Sequence, residues 1–150
     1  MIKFETDRLT VLSEQTVENG ILKRSEMNKT IGLLALKKGS FRENAFRFFK
    51  KNCVEEIGAI DIYVKDPDTR YQLNYCIHEE HNKNCGYMSE ALLGLITFLQ
   101  NNTKIDSIIA IVAPTNDNSK ATLKKCKFIQ EDNPLVKGSL TYVYLFDRKQ

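Results

Sequence analysis

The stretch YCIHEEHNKNCGYMSEALLGLITFL, residues 75–99, decides how this chain folds. It predicts a strand, then a polar loop that ends at Gly86, and then a long amphipathic helix. The first turn of such a helix leaves backbone N–H groups without acceptors, and the helix dipole adds partial positive charge there. The junction of loop and helix is therefore a candidate site for a phosphate or another anion.

The apolar residues after Gly86 follow the period of an α-helix. They recur at i, i+4, i+7, i+8 and i+11, as Met88, Leu92, Leu95, Ile96 and Leu99. A helix with one such stripe is expected to pack it against a core. The pair Asn101-Asn102 marks its expected end.

Strand patterns lie on both sides of this unit. Ile57–Val64 is apolar on both faces except at Asp61, which is typical of a central strand. A turn at 65–68 leads to Tyr71–His78, so the two strands are predicted to form an antiparallel hairpin. Three further strands and one helix are predicted downstream: strands over Ser107–Ala113, Phe128–Gln130 and Leu140–Phe146, and a helix over Asn116–Cys126. This order indicates a mixed α/β (α+β) sheet, part parallel and part antiparallel.

The first fifty residues are harder to interpret. Ile2–Leu12 is predicted as one strand, with Leu9 and Val11 facing inward. Ser13, followed by Thr16 and Val17, is compatible with the start of a helix. Three later features complete this part of the chain: an apolar cluster over Ile31–Leu36 that fits helix or strand, a break at Gly39-Ser40, and a strand or short helix over Ala45–Lys51.

The composition is that of an ordinary globular chain. With 150 residues, 42% hydrophobic and 27% charged, one domain spanning residues 1–150 is expected. The net charge of +3, from 22 basic and 19 acidic residues, is too weak to indicate a nucleic-acid partner. No apolar run is long enough to cross a bilayer, and no signal-peptide pattern is present. We therefore expect a cytoplasmic protein without a membrane partner.

The four cysteines, at positions 53, 76, 85 and 126, form no C-x-x-C pair and lie near no histidine cluster. Zinc ligands and redox pairs usually show such spacings. We expect four reduced thiols and no metal site.

Two segments together resemble the signature motifs of the GCN5-related N-acetyltransferase (GNAT) family. KNCGYMSEAL, at 83–92, resembles the family's pyrophosphate loop, Arg/Gln-x-x-Gly-x-Gly/Ala. PTNDNSKATLKKCKF, at 114–128, is similar to its Asn-x-x-Ser-x-x-x-x-x-Lys-x-Gly-Phe segment. With ETDRL at 5–9, these segments are most similar to the branch that contains the ribosomal-protein N-terminal acetyltransferases. The resemblance covers residues 55–147 well and implies a GNAT-like splayed sheet flanked by helices.

The resemblance implies that acetyl-CoA is the cofactor. In the family, loop amides bind the pyrophosphate and the edge of the preceding strand pairs with the pantetheine arm. The cofactor-binding residues implied here are Ile77, His78, Lys83, Asn84, Cys85, Gly86, Tyr87, Met88, Ser89, Asn116 and Ser119. Lys124, Lys125 and Lys127 are candidates for the 3′-phosphate, or form a solvated helix end.

The chain departs from the family pattern at three positions. Lys83 replaces arginine or glutamine, Met88 replaces the last small residue of the loop, and Lys127 replaces the glycine before Phe128. The loop is also one residue longer than usual. Either Asn82 or Lys83 therefore takes its first position.

Acetyl transfer to an amine needs a proton for the departing thiolate and a neutral nucleophile. In many family members a tyrosine supplies the proton, but Leu123 stands at that position. The resemblance then implies Ser119 as the catalytic acid, and the alternative is that Ser119 only caps the helix.

The base is not identified by the pattern. Asp61 and His78 are candidates, although exposed or paired polar side chains would explain both. Glu90 could act through water, but it has a simpler role as a partner of the helix dipole.

The predicted function is transfer of an acetyl group from acetyl-CoA to a primary amine, directly in a ternary complex. The acceptor is a protein N-terminal α-amine or a small-molecule amine, and a homodimer is compatible with the pattern. Neutralising a lysine at pH 7.4 requires about 4 kcal/mol and an α-amine about 0.5 kcal/mol, which favours the α-amine. The alternative is a non-catalytic acyl-CoA-binding or regulatory module on the same fold.

Overall fold

The structure, a computed structural model, describes residues 1–23, 45–64 and 70–148. These ranges contain ten strands: β1 (Ile2–Glu5), β2 (Leu9–Ser13), β3 (Thr16–Glu18), β4 (Ile21–Lys23), β5 (Phe46–Lys50), β6 (Glu56–Val64), β7 (Tyr71–Ile77), β8 (Ser107–Val112), β9 (Ile129–Gln130) and β10 (Leu140–Leu145). They also contain two α-helices, α1 (Tyr87–Asn102) and α2 (Asp117–Lys125), and a 3₁₀ turn over Glu80–Asn82.

Eight of the strands form one sheet in the order β1-β2-β5-β6-β7-β8-β10-β9, and β3 pairs with β4 in a separate hairpin. Neighbouring strands are antiparallel except β7 and β8, which are parallel. A parallel pair needs a crossover connection, and α1 supplies it. The predicted mixed sheet with flanking helices is confirmed, as is the predicted β6–β7 hairpin.

The parallel pair separates along its length. β7 and β8 pair over only three residues, from Tyr71 opposite Ile108 to Leu73 opposite Ala110. However, β7 continues to Ile77. The second half of β7 therefore lies beside a gap in the middle of the sheet.

The apolar stripe of α1 forms much of the core, as predicted. Its five residues, Met88, Leu92, Leu95, Ile96 and Leu99, are each at most 8% exposed. Burying a side chain of this size contributes about 1.5–3 kcal/mol. Phe98 of the same helix also contacts the rings of Phe4 and Phe46, at centroid distances of 5.6 and 6.5 Å.

The prediction of one strand over Ile2–Leu12 is wrong. The segment is a hairpin of β1 and β2, because the Thr6 N–H donates to the Leu9 carbonyl (2.9 Å) and the Leu9 N–H donates to Thr6 Oγ1 (3.1 Å). Leu9 and Val11 face inward as predicted, at 0% and 1% exposed.

The prediction of a helix beginning near Ser13 is also wrong, because Thr16–Glu18 is strand β3. A two-residue turn joins β3 to β4. Asn19 and Gly20 form this turn with φ values of 52° and 79°. Asn-Gly is the sequence typical of such hairpins.

The segment over Ala45–Lys51 is strand β5 and not a helix. The apolar cluster at 31–36, the break at 39–40 and the turn at 65–68 lie outside the described residues. None of the helices in the described ranges is long and apolar enough to cross a membrane.

Candidate active site

A groove of about 530 Å³ opens where β7 and β8 separate. Its walls are the end of β7, the loop before α1, and one side of α2. It is lined by Tyr75, Cys76, Ile77, Asn82, Lys83, Asn84, Gly86, Tyr87, Met88, Ser89, Asn116, Asn118, Ser119, Ala121, Thr122 and Lys125.

The end of β7 offers the groove a free backbone edge. The N–H of His78 donates to the Ile57 carbonyl on the β6 side, at 2.9 Å. The N–H and C=O groups of one residue point to one edge of a strand, and those of the next residue point to the other edge. The N–H and C=O groups of Tyr75 and Ile77 therefore point to the gap. This edge can pair with an extended chain that carries amide groups, as a further strand would.

The first turn of α1 supplies backbone donors at the other end of the groove. The Glu90 N–H bonds to the Gly86 carbonyl (3.1 Å), so the amides of Tyr87, Met88 and Ser89 precede the helical ladder. Gly86 has φ of 79°, in the left-handed region that favours glycine. These amides and the positive end of the helix dipole form an anion site.

The β1–β2 turn holds this helix end in place. The Glu90 carboxylate accepts hydrogen bonds from the Thr6 hydroxyl, the Arg8 N–H (2.8 Å) and Arg8 Nε (2.6 Å). Arg8 Nη1 also donates to the Cys85 carbonyl at 3.0 Å, and the guanidinium lies over the Tyr87 ring at 4.5 Å. The ETDRL segment thus anchors the loop without entering the groove.

The same contacts decide the protonation state of Glu90. Burial alone would raise its pKa, but the hydrogen bonds from Thr6 and Arg8 outweigh burial and lower the pKa below its ordinary value. A carboxylate that is already ionised and held by three donors is a poor proton acceptor. Glu90 is therefore a structural carboxylate rather than a candidate base.

Asn82 and Lys83, the two candidates for the first position of the loop, both line the groove. Asn82 is 2% exposed, and within the described ranges its side-chain Nδ2 has no hydrogen-bond partner. Lys83 pairs its Nζ with Glu80 at 3.0 Å. A buried amide donor without an acceptor fits a polar ligand atom, because native proteins satisfy such groups.

The capping alternative for Ser119 is wrong. Asn116 is the N-cap of α2, and its Oδ1 accepts the Ser119 N–H at 3.1 Å. Ser119 is instead in the first turn, where its backbone carbonyl accepts a hydrogen bond from the Tyr75 hydroxyl at 3.5 Å. Burial raises the pKa of Tyr75, and the hydrogen bond with Ser119 lowers it in part. Tyr75 and Ser119 therefore both line the groove and are joined by this hydrogen bond.

Leu123, at the position where the resemblance implies a tyrosine in many family members, does not line the groove. Its side chain is 0% exposed and belongs to the core. Tyr75 was missed as a site residue, although strand alternation places it on the same face as Ile77. The other missed lining residues of α2 are Asn118, Ala121 and Thr122, which follow a helical period along one side together with Lys125.

Two of the predicted cofactor-binding residues do not line the groove. The His78 side chain turns to β6, with Nε2 at 2.5 Å from Glu56 Oε2, because residues 76 and 78 share the face opposite Tyr75. The thiol of Cys85 turns back to the carbonyls of His81 and Lys83, at 3.7 and 3.5 Å. The other nine predicted residues line the groove.

Most of the remaining titratable candidates lie outside the groove. Asp61 is 1% exposed and does not line the groove, so of the two explanations for its side chain, exposed or paired, the exposed one is excluded. Of the three lysines considered for the 3′-phosphate, Lys125 lines the groove. Burial raises the pKa of Cys126 to about 11, despite the nearby charge of Lys125, so this thiol is protonated and unreactive at neutral pH.

The residues that the structure describes contain no candidate metal site. No group of three His, Cys, Asp or Glu side chains there could hold a metal ion. The groove therefore offers backbone amides, hydroxyls and side-chain amides, which fit a phosphate-bearing thioester such as acetyl-CoA.

A family model described as an acetyltransferase (GNAT) domain matches residues 12–129. The chain belongs to the GNAT acetyltransferase family. Its activity is that of an acetyl-CoA-dependent N-acetyltransferase, with acetyl-CoA as the acetyl donor. No curated protein sequence matches the chain.

Solved structures share the GNAT fold at low sequence identity. An acetyltransferase from Agrobacterium tumefaciens str. C58 is 16% identical with a TM-score of 0.69, covering 96% of this chain and 94% of its own. The ribosomal-protein-S5-alanine acetyltransferase from Vibrio fischeri is 17% identical with a TM-score of 0.65, covering 98% of both chains. RimL, a ribosomal L7/L12 α-N-protein acetyltransferase solved with coenzyme A, is 14% identical with a TM-score of 0.61, covering 95% and 96%.

Proposed function

We propose that this GNAT protein acetylates the α-amine of a protein or peptide N-terminus, by direct transfer from acetyl-CoA in a ternary complex. One observation carries the proposal. The groove ends in free helix amides at one side and reaches the open edge of β7 at the other. A pyrophosphate and an amide-containing arm need donors and acceptors in this arrangement.

Different residues around the groove bind different parts of the cofactor. The amides of Gly86 to Ser89 bind the pyrophosphate, and the backbone of Tyr75 and Ile77 pairs with the pantetheine arm. Asn82 and Asn116 contribute side-chain amides, and Lys125 or Lys83 meets a further phosphate.

Ser119 is the proposed catalytic acid, with Tyr75 beside it. The Tyr75 hydroxyl, kept protonated at neutral pH by its raised pKa, donates to the Ser119 carbonyl, and the Ser119 hydroxyl delivers the proton to a departing thiolate. The Asn116 cap leaves the Ser119 side chain free of a capping role.

The choice of an α-amine follows from what surrounds the groove. Within the described ranges its lining contains no carboxylate and no imidazole. Without a base, an amine that is already largely neutral reacts at far lower cost than a lysine, by about 3–4 kcal/mol at pH 7.4. RimL, an α-N-protein acetyltransferase of the same fold, supports an N-terminal acceptor.

Release of free coenzyme A in the presence of matched peptides tests the proposal. One peptide carries a free N-terminus and no lysine, and the control carries a formylated N-terminus and one lysine. We expect turnover with the first peptide and little with the second. Turnover with the lysine peptide alone would reject the α-amine. Binding of acetyl-CoA without turnover on any amine would favour the non-catalytic module.

The proposal also covers the domain organisation, the cellular compartment and the oligomeric state. Residues 1–150 act as one acetyltransferase domain, the protein acts in the cytoplasm, and a homodimer is allowed. Light scattering of the purified chain gives its mass in solution and tests the last of these.

A further inference from the structure

Three side chains form a chain of contacts that begins on the face of β7 opposite the Tyr75 side chain. Cys76 Sγ lies 3.8 Å from His78 Nδ1, and His78 Nε2 lies 2.5 Å from Glu56 Oε2. Arg47 Nε binds the second carboxylate oxygen of Glu56. A thiol, an imidazole and a carboxylate in this order match a nucleophile, its base and the group that orients the base.

The register of the sheet brings these side chains together. Cys76 and His78 are two residues apart on β7, so they share a face. Arg47 and Cys76 both lie opposite Ala59, on its two sides. The cluster therefore rests on regular strands and not on a loop, which keeps its geometry fixed.

The Glu56 carboxylate also selects the tautomer of His78. A carboxylate accepts, so the neutral ring must carry its proton on Nε2. Nδ1 then has a free lone pair, and it faces the Cys76 thiol. His78 can therefore take the proton of that thiol.

Cys76 is the member of the cluster that lines the groove. Burial raises the pKa of Cys76, and the charge of Glu56 raises it further. The group is thus a thiol at neutral pH, and it needs a base at the moment of attack.

We propose that Cys76 is a self-acylation site that takes the acetyl group from acetyl-CoA when no amine acceptor is bound. The inference rests on the proposed function, because the donor is the thioester held in the groove. Cys76 Sγ attacks the thioester carbonyl carbon while its proton moves to His78 Nδ1. The bond from that carbon to the coenzyme sulfur breaks, and the proton passes to the departing thiolate. The products are S-acetyl-Cys76 and free coenzyme A.

Intact-mass and peptide mass spectrometry after incubation with acetyl-CoA alone test this step. We expect one added acetyl group on the peptide that contains Cys76, removable by neutral hydroxylamine. Cys76→Ala should remain unmodified, whereas Cys53→Ala, which removes an exposed thiol that does not line the groove, should be modified like the native protein. Acetylation that persists in Cys76→Ala, or that maps to another residue, overturns the proposal.

His78→Gln tests the relay. We expect acetylation of Cys76 to slow about 10²-fold or more, the usual contribution of a positioned base. Alkylation of Cys76 by iodoacetamide without acetyl-CoA should slow as well, which provides a readout independent of the cofactor. If His78→Gln fails to fold, Glu56→Gln removes the orienting charge and should slow both reactions. Unchanged rates in a folded variant contradict the relay.

Calorimetry with acetyl-CoA separates failure of this inference from failure of the proposed function. Tight binding and amine turnover without S-acetylation overturn the inference alone. Absence of binding overturns both.

Discussion

Lys127 adopts a backbone conformation that its side chain disfavours. Its φ is 70°, in the left-handed region, and it directly follows Cys126, the C-cap of α2. The resembled family has glycine here, and a residue with a Cβ is strained in this region by about 1–2 kcal/mol. Lysine at position 127, in place of the family's glycine, therefore keeps the turn but lowers the stability of the fold.

Lys127→Gly should stabilise the protein by about 1 kcal/mol, once the larger entropy of an unfolded glycine is subtracted. For a chain of this size that corresponds to a rise in Tm of about 2–4 °C in thermal unfolding. The control Lys124→Gly lies within α2, where glycine is unfavourable, and should lower Tm. A lower Tm for both variants would contradict the account.

Ser119→Ala should lower kcat about tenfold or more and leave the affinity for acetyl-CoA nearly unchanged. Its Tm should also stay close to that of the native protein, because the bond to the Asn116 cap uses the Ser119 backbone N–H. Ser119→Thr keeps a hydroxyl and should restore part of the rate. Loss of Tm with an unchanged kcat would assign Ser119 a structural role only.

At the scale of elements, the junction of the β1–β2 turn with α1 is stabilised by Glu90. Its lowered pKa gives a sign to the pH dependence. A carboxylate with a depressed pKa in the folded state stabilises the fold above its unfolded pKa, about 4.3, and this contribution disappears as pH falls through the folded value.

Glu90→Gln should therefore lower stability by about 1–2 kcal/mol at pH 7, through loss of charged hydrogen bonds, and by less at pH 3. Thermal unfolding at both pH values measures the difference. The control Glu18→Gln breaks an exposed pair with Lys23 (3.6 Å) and should have little effect at either pH. Equal losses at both pH values for Glu90→Gln would exclude its charge as the cause.

Gly86→Val should reduce the affinity for acetyl-CoA at least tenfold, as measured by calorimetry. A Cβ is strained at φ of 79° and would stand only 3.4 Å from Arg8 Nη2, at the helix end that binds the pyrophosphate. Gly138→Val is a matched control, because it has φ of 84° and no heavy atom of the described residues lies within 4 Å of its Cβ position. It should lose stability and keep its affinity. Similar affinity for both variants would show that the anion site lies elsewhere.

Elements with a strong period were predictable from the sequence, and contacts between distant elements were not. The stripe of α1 and the alternation of β7 follow from side-chain spacing alone. The bonds of Thr6 and Arg8 to Glu90 join residues more than eighty positions apart, and the turn that makes them possible was read as continuous strand.

In the candidate site, too, the local features were predictable from the sequence and the contacts between distant elements were not. The glycine at 86 and the asparagine at 116 could be assigned from motifs, because the backbone geometry they serve is local. The alternation of a strand places Cys76 and His78 on one face. Their connection to Glu56 depends on the register of β6 against β7, which sequence does not specify.

At the scale of the whole molecule, one irregularity of the sheet organises the site. The separation of β7 from β8 exposes a strand edge, and the crossover through α1 brings a helix N-terminus to the same gap. The central claim is that acetyl-CoA occupies both features at once, with its arm on the strand and its pyrophosphate on the helix.

Hydrogen–deuterium exchange of the native protein with and without acetyl-CoA tests this claim most directly. Amides that gain hydrogen-bond acceptors exchange more slowly. We predict new protection at residues 75–77 and 86–89, and unchanged exchange in the distant β3–β4 hairpin. Protection confined to other segments, or no protection despite saturating acetyl-CoA, would contradict the account.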